Sequence, residues 1–130
     1  MALIPLNTFR TITAVLNTAT TSTVYTAPIG VTSIILMAQV SNIDNSNAHY
    51  CTLQHHRNFR VLPNAQGQNG QAPNVSTEIV YNFGIPSDDA GSLISGKLII
   101  ESQDSVIAYS NDDATGKLKL ILSVLETANS

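Results

Sequence analysis

The sequence predicts an all-β fold in which antiparallel strands form a β-sandwich. A jelly roll is one type of sandwich that fits the prediction. Three observations support this class. Short extended segments recur along the chain, and clusters of Asn, Asp, Gly and Pro separate them. Ser, Thr and Asn fill 38 of the 130 positions, and these residue types favour strands and turns. No window sustains the i, i+3, i+4, i+7 spacing of an amphipathic helix.

Each predicted strand is bounded by residues that turn the chain. The strands are predicted at 8–19, 23–27, 31–41, 48–57, 76–83, 96–102, 105–110 and 117–126. Pro28 lacks the N–H that a strand interior needs, and Gly30 can supply the positive φ of the turn that follows. The polar segment 63–74 offers nothing to bury and is predicted as a loop. The last three strands are predicted to pair as an antiparallel meander.

Alternation along two strands separates inward from outward side chains. In the last strand, one face is uniformly apolar and is predicted to point inward: Leu118, Leu120, Leu122 and Val124. Ile121 and Leu125 lie on the opposite face. In the strand over 31–41, alternation places Ile35 and Met37 together on an outward face. Cys51 is predicted to be a buried structural thiol, because it shares the core side of its strand with Leu53.

A chain of 130 residues is the size of one domain, and we expect a single sandwich over 11–130 preceded by an extended arm over 1–10. The arm contains Leu3, Ile4, Leu6 and Phe9, which are too apolar for a solvated tail. It lacks the basic start and long apolar segment of a secretory signal. The single cysteine forms no internal disulfide and fits a reducing compartment. We therefore expect synthesis in a cytoplasm.

Composition argues against several classes of partner. The net charge of −3 gives no broad attraction to nucleic acid or anionic lipid. Aromatic residues form only 5% of the chain and Trp is absent, which disfavours a stacking platform for single strands or sugars. Neither nucleic acid nor a membrane is therefore predicted as a partner.

The sequence predicts no catalytic residue, no metal and no cofactor. His49, His55 and His56 are close in sequence, but neither an acid nor a second cysteine completes a zinc set. The segment "NDDATG" at 111–116 matches part of a calcium loop, yet position 12 is Leu122 instead of Glu. Adjacent aspartates at 88–89 and 112–113 lie in predicted turns, where neighbouring side chains diverge. We interpret these segments as turns and strand ends.

Two longer segments carry a resemblance to a known group of proteins. "STVYTAPIGVTSIILMAQVSN" at 22–42 opens a strand with a Tyr-Thr-x-Pro-x-Gly turn and ends in Ser-Asn. "GKLIIESQDSVIAYSNDDATGKLKLILSVLE" at 96–126 contains a Gly-Lys-Leu strand, an acidic turn with Asp104, and a last strand ending Ser-x-Leu-Glu. Together they resemble the pattern of small virion structural proteins of tailed bacteriophages. Residues 43–95 lie outside the resemblance.

The resemblance implies a non-enzymatic structural role in a virion, with synthesis in the host cytoplasm. A capsid decoration or cement protein that binds the assembled head is favoured, with the major capsid protein as its partner. A neck, tail or baseplate component is the alternative, and a carbohydrate-binding module is a more distant one. Exposed apolar strand positions also favour a homo-oligomer, with a trimer preferred. The candidate interface residues are Leu3, Ile4, Leu6, Phe9, Ile35, Met37, Arg57, Arg60, Ile121 and Leu125.

Overall fold

The computed structural model describes residues 7–16, 22–58, 75–111, 114 and 116–128. These residues contain nine strands: β1 Asn7–Leu16, β2 Ser22–Thr26, β3 Val31–Asn42, β4 His49–Arg57, β5 Val75–Ile85, β6 Asp89–Ser92, β7 Leu98–Ile100, β8 Ser105–Ser110 and β9 Leu118–Ala128. Within these ranges, no helix has the length and apolar character needed to cross a bilayer. The all-β prediction is confirmed.

The strands form two antiparallel sheets that pack face to face. One sheet has five strands in the order β1-β9-β3-β6, with β7 also paired to β3. The other has four strands in the order β2-β8-β4-β5. The predicted β-sandwich is therefore present, and its core lies between the inner faces of the two sheets.

The strand pairing has the pattern of a jelly roll. The chain pairs with itself as one long antiparallel ribbon, in which β1 meets β9, β2 meets β8, β3 meets β6 and β7, and β4 meets β5. Successive pairs of this ribbon lie alternately in the five-stranded and the four-stranded sheet. When the ribbon folds over, β3 also pairs with β9 and β4 also pairs with β8. These two pairs join the strands of the ribbon into the two sheets. This arrangement is the double-sheet jelly roll.

The predicted meander of the last three strands is wrong. β7 pairs with β3, β8 pairs with β2 and β4, and β9 pairs with β1 and β3. Both connections, from β7 to β8 and from β8 to β9, cross from one sheet to the other. Alternation along a strand shows which face is apolar, but it carries no information about which strand lies alongside.

The N-terminal prediction also changes. Residues 7–10 were expected in an arm, but they pair with 124–127 of β9 as the start of β1. Residues 1–6 lie outside the described part of the chain, as does the predicted loop 63–74. β6 was not predicted, because its sequence DAGS carries no strand-forming residue.

Large apolar side chains of both sheets fill the core. The inner face of β9 is buried as predicted, and Leu122 lies opposite Ile12 of β1 and Ala38 of β3. Cys51 and Leu53 from β4 face it from the other sheet and are also buried. The largest fully buried side chains are Leu16, Ile35, Leu53, Ile85, Leu93, Ile100, Leu118, Leu120, Leu122, Val40, Val106 and Val124.

A β-bulge in β3 reverses which residues face the core. The β3–β9 register shifts between Ile35 and Met37, so one extra residue interrupts the alternation. Before the bulge, Ser33 and Ile35 point inward, and after it Ala38 and Val40 do. The prediction that Ile35 faces outward is therefore wrong: its side chain is only 1% exposed.

A polar bridge joins the two sheets near the end of β9. The Tyr25 hydroxyl, from β2, donates to Glu126 Oε2 at 2.5 Å and accepts from Ser33 Oγ at 2.6 Å. Arg10 Nη1 donates to the same Glu126 oxygen at 3.3 Å. Burial, reinforced by the hydrogen bond to Glu126, raises the pKa of Tyr25 to about 12. The hydroxyl therefore keeps its proton at neutral pH, and the bridge fixes β1, β2, β3 and β9 together.

Candidate assembly face

The outer face of the five-stranded sheet carries a continuous row of apolar side chains. In the strand register, Phe9 of β1 lies opposite Leu125 of β9, Leu125 lies opposite Ile34 of β3, and Ile34 lies opposite Ile99 of β7. Directly opposed residues project to the same side of a sheet. The four side chains therefore cross four strands in a line, which we call the assembly row.

The assembly row is open to solvent, most of all at its two ends. Phe9 is 74% exposed and Ile99 is 58% exposed, while Leu125 and Ile34 between them are half-buried. Isolated exposed apolar residues are normal on a protein surface, but a contiguous apolar row commonly marks an interaction surface. Covering such a row contributes about 25 cal/mol for each Å² of apolar area removed from water.

A second row, farther along the same face, is more polar and borders a groove. Thr13 of β1 lies opposite Ile121 of β9, which lies opposite Gln39 of β3. A groove of about 420 Å³ runs beside Thr13, Val15 and Ile121. The outer face thus combines one strongly apolar row with a shallow, mixed surface, as in the core and rim of many protein interfaces.

The structure brings four of the predicted interface residues to this face. Phe9 and Leu125 belong to the assembly row, Ile121 borders the groove, and Met37 lies opposite Ser123 on the outer side. Ile35 does not contribute, because the bulge turns it into the core. Leu3, Ile4, Leu6 and Arg60 lie outside the described residues.

Two residues of the assembly row were missed in the sequence. Alternation that places Ile35 on the outward face places its neighbour Ile34 on the inner face, and strict alternation cannot detect the bulge between Ile35 and Met37. Ile99 sits in the three-residue strand β7, which was predicted to pair with β8 and pairs with β3 instead. No local pattern in the sequence indicates either event, because both depend on contacts between distant segments.

Arg57 points into a charged cluster of its own chain. Its guanidinium lies 3.4 Å from Glu101 and 3.7 Å from Asp104. The Asp104 side chain is fully buried, accepts a hydrogen bond from the Asn58 backbone N–H at 3.1 Å, and lies 3.5 Å from His55 Nε2. These contacts connect the end of β4 to the turn before β8. Arg57 therefore has a structural role beside its predicted role at an interface.

The cluster leads to a prediction about pH. Burial lowers the pKa of His55, although Asp104 beside it acts in the opposite direction. The unfolded chain, with an ordinary His55 pKa near 6.5, then binds a proton more readily than the folded chain. We expect the free energy of unfolding to fall as pH drops from 7.5 to 5, and His55→Gln to reduce that fall.

Urea unfolding of both proteins at several pH values checks this expectation. Asp44 titrates in a separate window, because its hydrogen bonds with His49 and the Ser46 N–H lower its pKa to about 2. Its contribution is lost only below about pH 4 and does not interfere. An identical pH dependence in wild type and His55→Gln would contradict the assignment.

The three histidines have separate environments. His49 Nε2 lies 2.8 Å from Asp44, His55 lies beside Asp104, and His56 Nδ1 lies 2.8 Å from Ser76 Oγ. Within the described ranges, no group of three or more His, Cys, Asp or Glu side chains is placed to hold a metal ion. In the "NDDATG" segment, residues 112, 113 and 115 lie outside those ranges.

Comparisons with known proteins identify the fold. No family model matches the chain, and no curated protein matches it. Among solved structures, it is similar to a chain in the acid-stable capsid of Helicobacter pylori bacteriophage KHP30, with a TM-score of 0.51 and 11% identity. That match covers 98% of this chain and 92% of the other.

A second similarity is to a chain of the T13 IBDV viral particle, with a TM-score of 0.45 and 8% identity. It covers 97% of this chain and 36% of the other, so the present chain spans about a third of that protein. The KHP30 likeness, which extends over nearly the whole of both chains, shows that this protein shares its fold with a chain of a phage capsid.

Proposed function

We propose that the chain is a non-enzymatic structural protein of a bacteriophage virion. The observation that carries the proposal is the assembly row, since a contiguous row of apolar side chains with ends 74% and 58% exposed commonly marks a surface that a partner covers. The near full-length likeness to a phage capsid chain supports a virion as the assembly concerned.

The fold alone does not choose between structural and sugar-binding roles, because jelly rolls occur in viral capsids and in lectin domains. The outer face of the five-stranded sheet favours the structural role. The assembly row contains three aliphatic side chains and only one aromatic ring, Phe9, whereas sugars are usually bound on aromatic platforms with convergent polar groups. A flat aliphatic row is better suited to covering by another protein.

Within the virion, we propose a capsid decoration or cement protein that binds the major capsid protein. One compact sandwich with an apolar row on an outer face suits a part repeated many times over a shell. Each contact can then be weak, because many copies on one lattice reinforce each other through avidity. A neck, tail or baseplate component remains the alternative, since it would use the same kind of surface in fewer copies.

Quantitative mass spectrometry of purified particles tests this proposal. A decoration protein is expected in a copy number of the same order as the major capsid protein. A ratio below about one-tenth would favour the neck, tail or baseplate position. Absence of the chain from purified particles would contradict the virion role itself.

A further inference from the structure

β1 forms one edge of the five-stranded sheet and is unusually regular for an edge strand. Among the described residues it pairs only with β9. Its ten residues pair with β9 without a register shift, from Asn7 opposite Thr127 to Leu16 opposite Leu118. Such a strand presents a row of backbone N–H and C=O groups that another strand can pair with.

The other sheet edges carry features that hinder pairing. The far edge of the same sheet is shared by β6 and β7, which have four and three residues. Two acidic residues, Asp88 and Asp89, lie at the start of β6. β2 has five residues and a register shift. β5 is long, but its pairing shifts twice and Asn82 has a positive φ of 52°. β1 has neither Pro nor Gly, and its single charged residue, Arg10, is held by Glu126.

We propose that β1 is a self-association edge, at which two copies of this chain pair antiparallel through β1 about a two-fold axis at Ile12. A two-fold axis perpendicular to the sheet keeps the outer faces of both copies on the same side, so residues pair outer with outer. The register between the two β1 strands depends on which side chains it brings opposite each other.

With the axis at Ile12, Phe9 of each copy lies opposite Val15 of the other. These are the most exposed apolar side chains of β1, at 74% and 52% exposure, so this register covers both. An axis at Arg10 would place two positive charges opposite each other, which is destabilising. An axis at Thr11 would leave Phe9 opposite Thr13 and Val15 opposite Asn7, so neither apolar side chain would gain an apolar partner.

The pairing also extends the assembly row. In one copy the row runs Ile99, Ile34, Leu125, Phe9, and Val15 of the second copy continues it across the new contact. By symmetry the same occurs on the other side of the axis. The two five-stranded sheets become one continuous sheet with a larger outer face. Phe9 and Val15 then no longer lie at an open edge of that face.

The expected contact is weak in solution. In this register residues 8–16 of the two copies pair. Nine residues at about 3.4 Å each make a contact roughly 31 Å long, and one strand per copy keeps the buried area near or below about 1,200 Å². Interfaces of that size are typically transient. The two-fold pairing favours a dimer over the trimer preferred from the sequence, and it does not depend on the virion role, because it requires only this chain.

Cysteine crosslinking tests the edge and its register together. Thr11 and Thr13 are exposed, and the proposed axis places Thr11 of one copy directly opposite Thr13 of the other. Opposed Cα atoms lie about 4.5–5.5 Å apart, within disulfide range, whereas Thr11 and its own symmetry mate lie diagonally at about 7–8 Å. Thr11→Cys and ¹⁵N-labelled Thr13→Cys proteins are mixed at high concentration and oxidised with diamide. Intact-mass spectrometry then distinguishes the mixed disulfide from the two homodimers, because only one of the two proteins carries the label.

The mixed disulfide is expected to form at least several-fold faster than either homodimer. Thr77→Cys, on the exposed part of β5, provides the control for random collisions. Three results would overturn the proposal: a random distribution of the three dimers, a dominant Thr11→Cys homodimer, or crosslinking no faster than Thr77→Cys. The last is also expected if another segment of the same chain covers the β1 edge.

Discussion

Replacing both Phe9 and Ile99, the exposed ends of the assembly row, with aspartate is expected to weaken binding to the particle strongly while leaving the sandwich folded. Both side chains lie on the outer face, so neither substitution disturbs the core. Fully covering a Phe or Ile side chain contributes about 1.5–3 kcal/mol, and the new charges would also have to lose their hydration. Since about 1.4 kcal/mol is a factor of ten, we expect affinity to fall at least about 100-fold.

Co-sedimentation with particles lacking the chain measures this loss. Tyr81→Asp provides a matched control, because Tyr81 is 67% exposed and lies in β5 of the other sheet. The control should bind like wild type. Equal binding by the double variant, with an unchanged melting temperature, would show that the assembly row is not the contact surface.

Leu122→Ala is expected to lower the free energy of unfolding by about 2–5 kcal/mol. Leu122 is fully buried at the centre of β9, between Ile12 of β1 and Ala38 of β3. Truncating it removes apolar contacts and leaves a cavity that the surrounding strands only partly fill. In a domain of this size the loss corresponds to a decrease in melting temperature of roughly 7–18 °C.

Leu125→Ala, in the same strand, is the internal control. The residue type and the substitution are identical, but Leu125 points to the outer face and is half-buried. Urea denaturation should show a loss below about 1 kcal/mol for Leu125→Ala. Similar losses for the two variants would contradict the assignment of inner and outer faces along β9.

The strand positions could be predicted because local residue choice determines them. The strand over 105–110 agrees with β8, and the inner face of β9 agrees with the alternation of Leu118, Leu120 and Leu122. Turn residues were equally informative, since Gly30 has the expected positive φ, at 79°. These features depend on neighbours within a few positions, which a single sequence contains.

The pairing of strands could not be predicted, because it depends on residues far apart in the chain. Asn7 and Thr127 meet at one end of the β1–β9 pair, and no periodicity connects them. The bulge near Ile35 is a shift in the register between β3 and β9, which lie far apart in the chain. The errors in strand pairing and in the bulge also affected the candidate site. The sequence predicted Phe9 and Leu125 as interface residues but did not predict Ile34 and Ile99. The burial of the Asp104 carboxylate could not be predicted either, because the sequence around it is that of an ordinary turn.

Electron cryomicroscopy of the particle that carries this chain tests the central claim most directly. At a resolution that separates the two sheets, the jelly roll should lie on the shell with the outer face of β1, β9, β3 and β7 against a neighbouring protein. Phe9, Leu125, Ile34 and Ile99 should then be covered. A map in which that face points to solvent, while the β2-β8-β4-β5 sheet makes the contacts, would contradict the account.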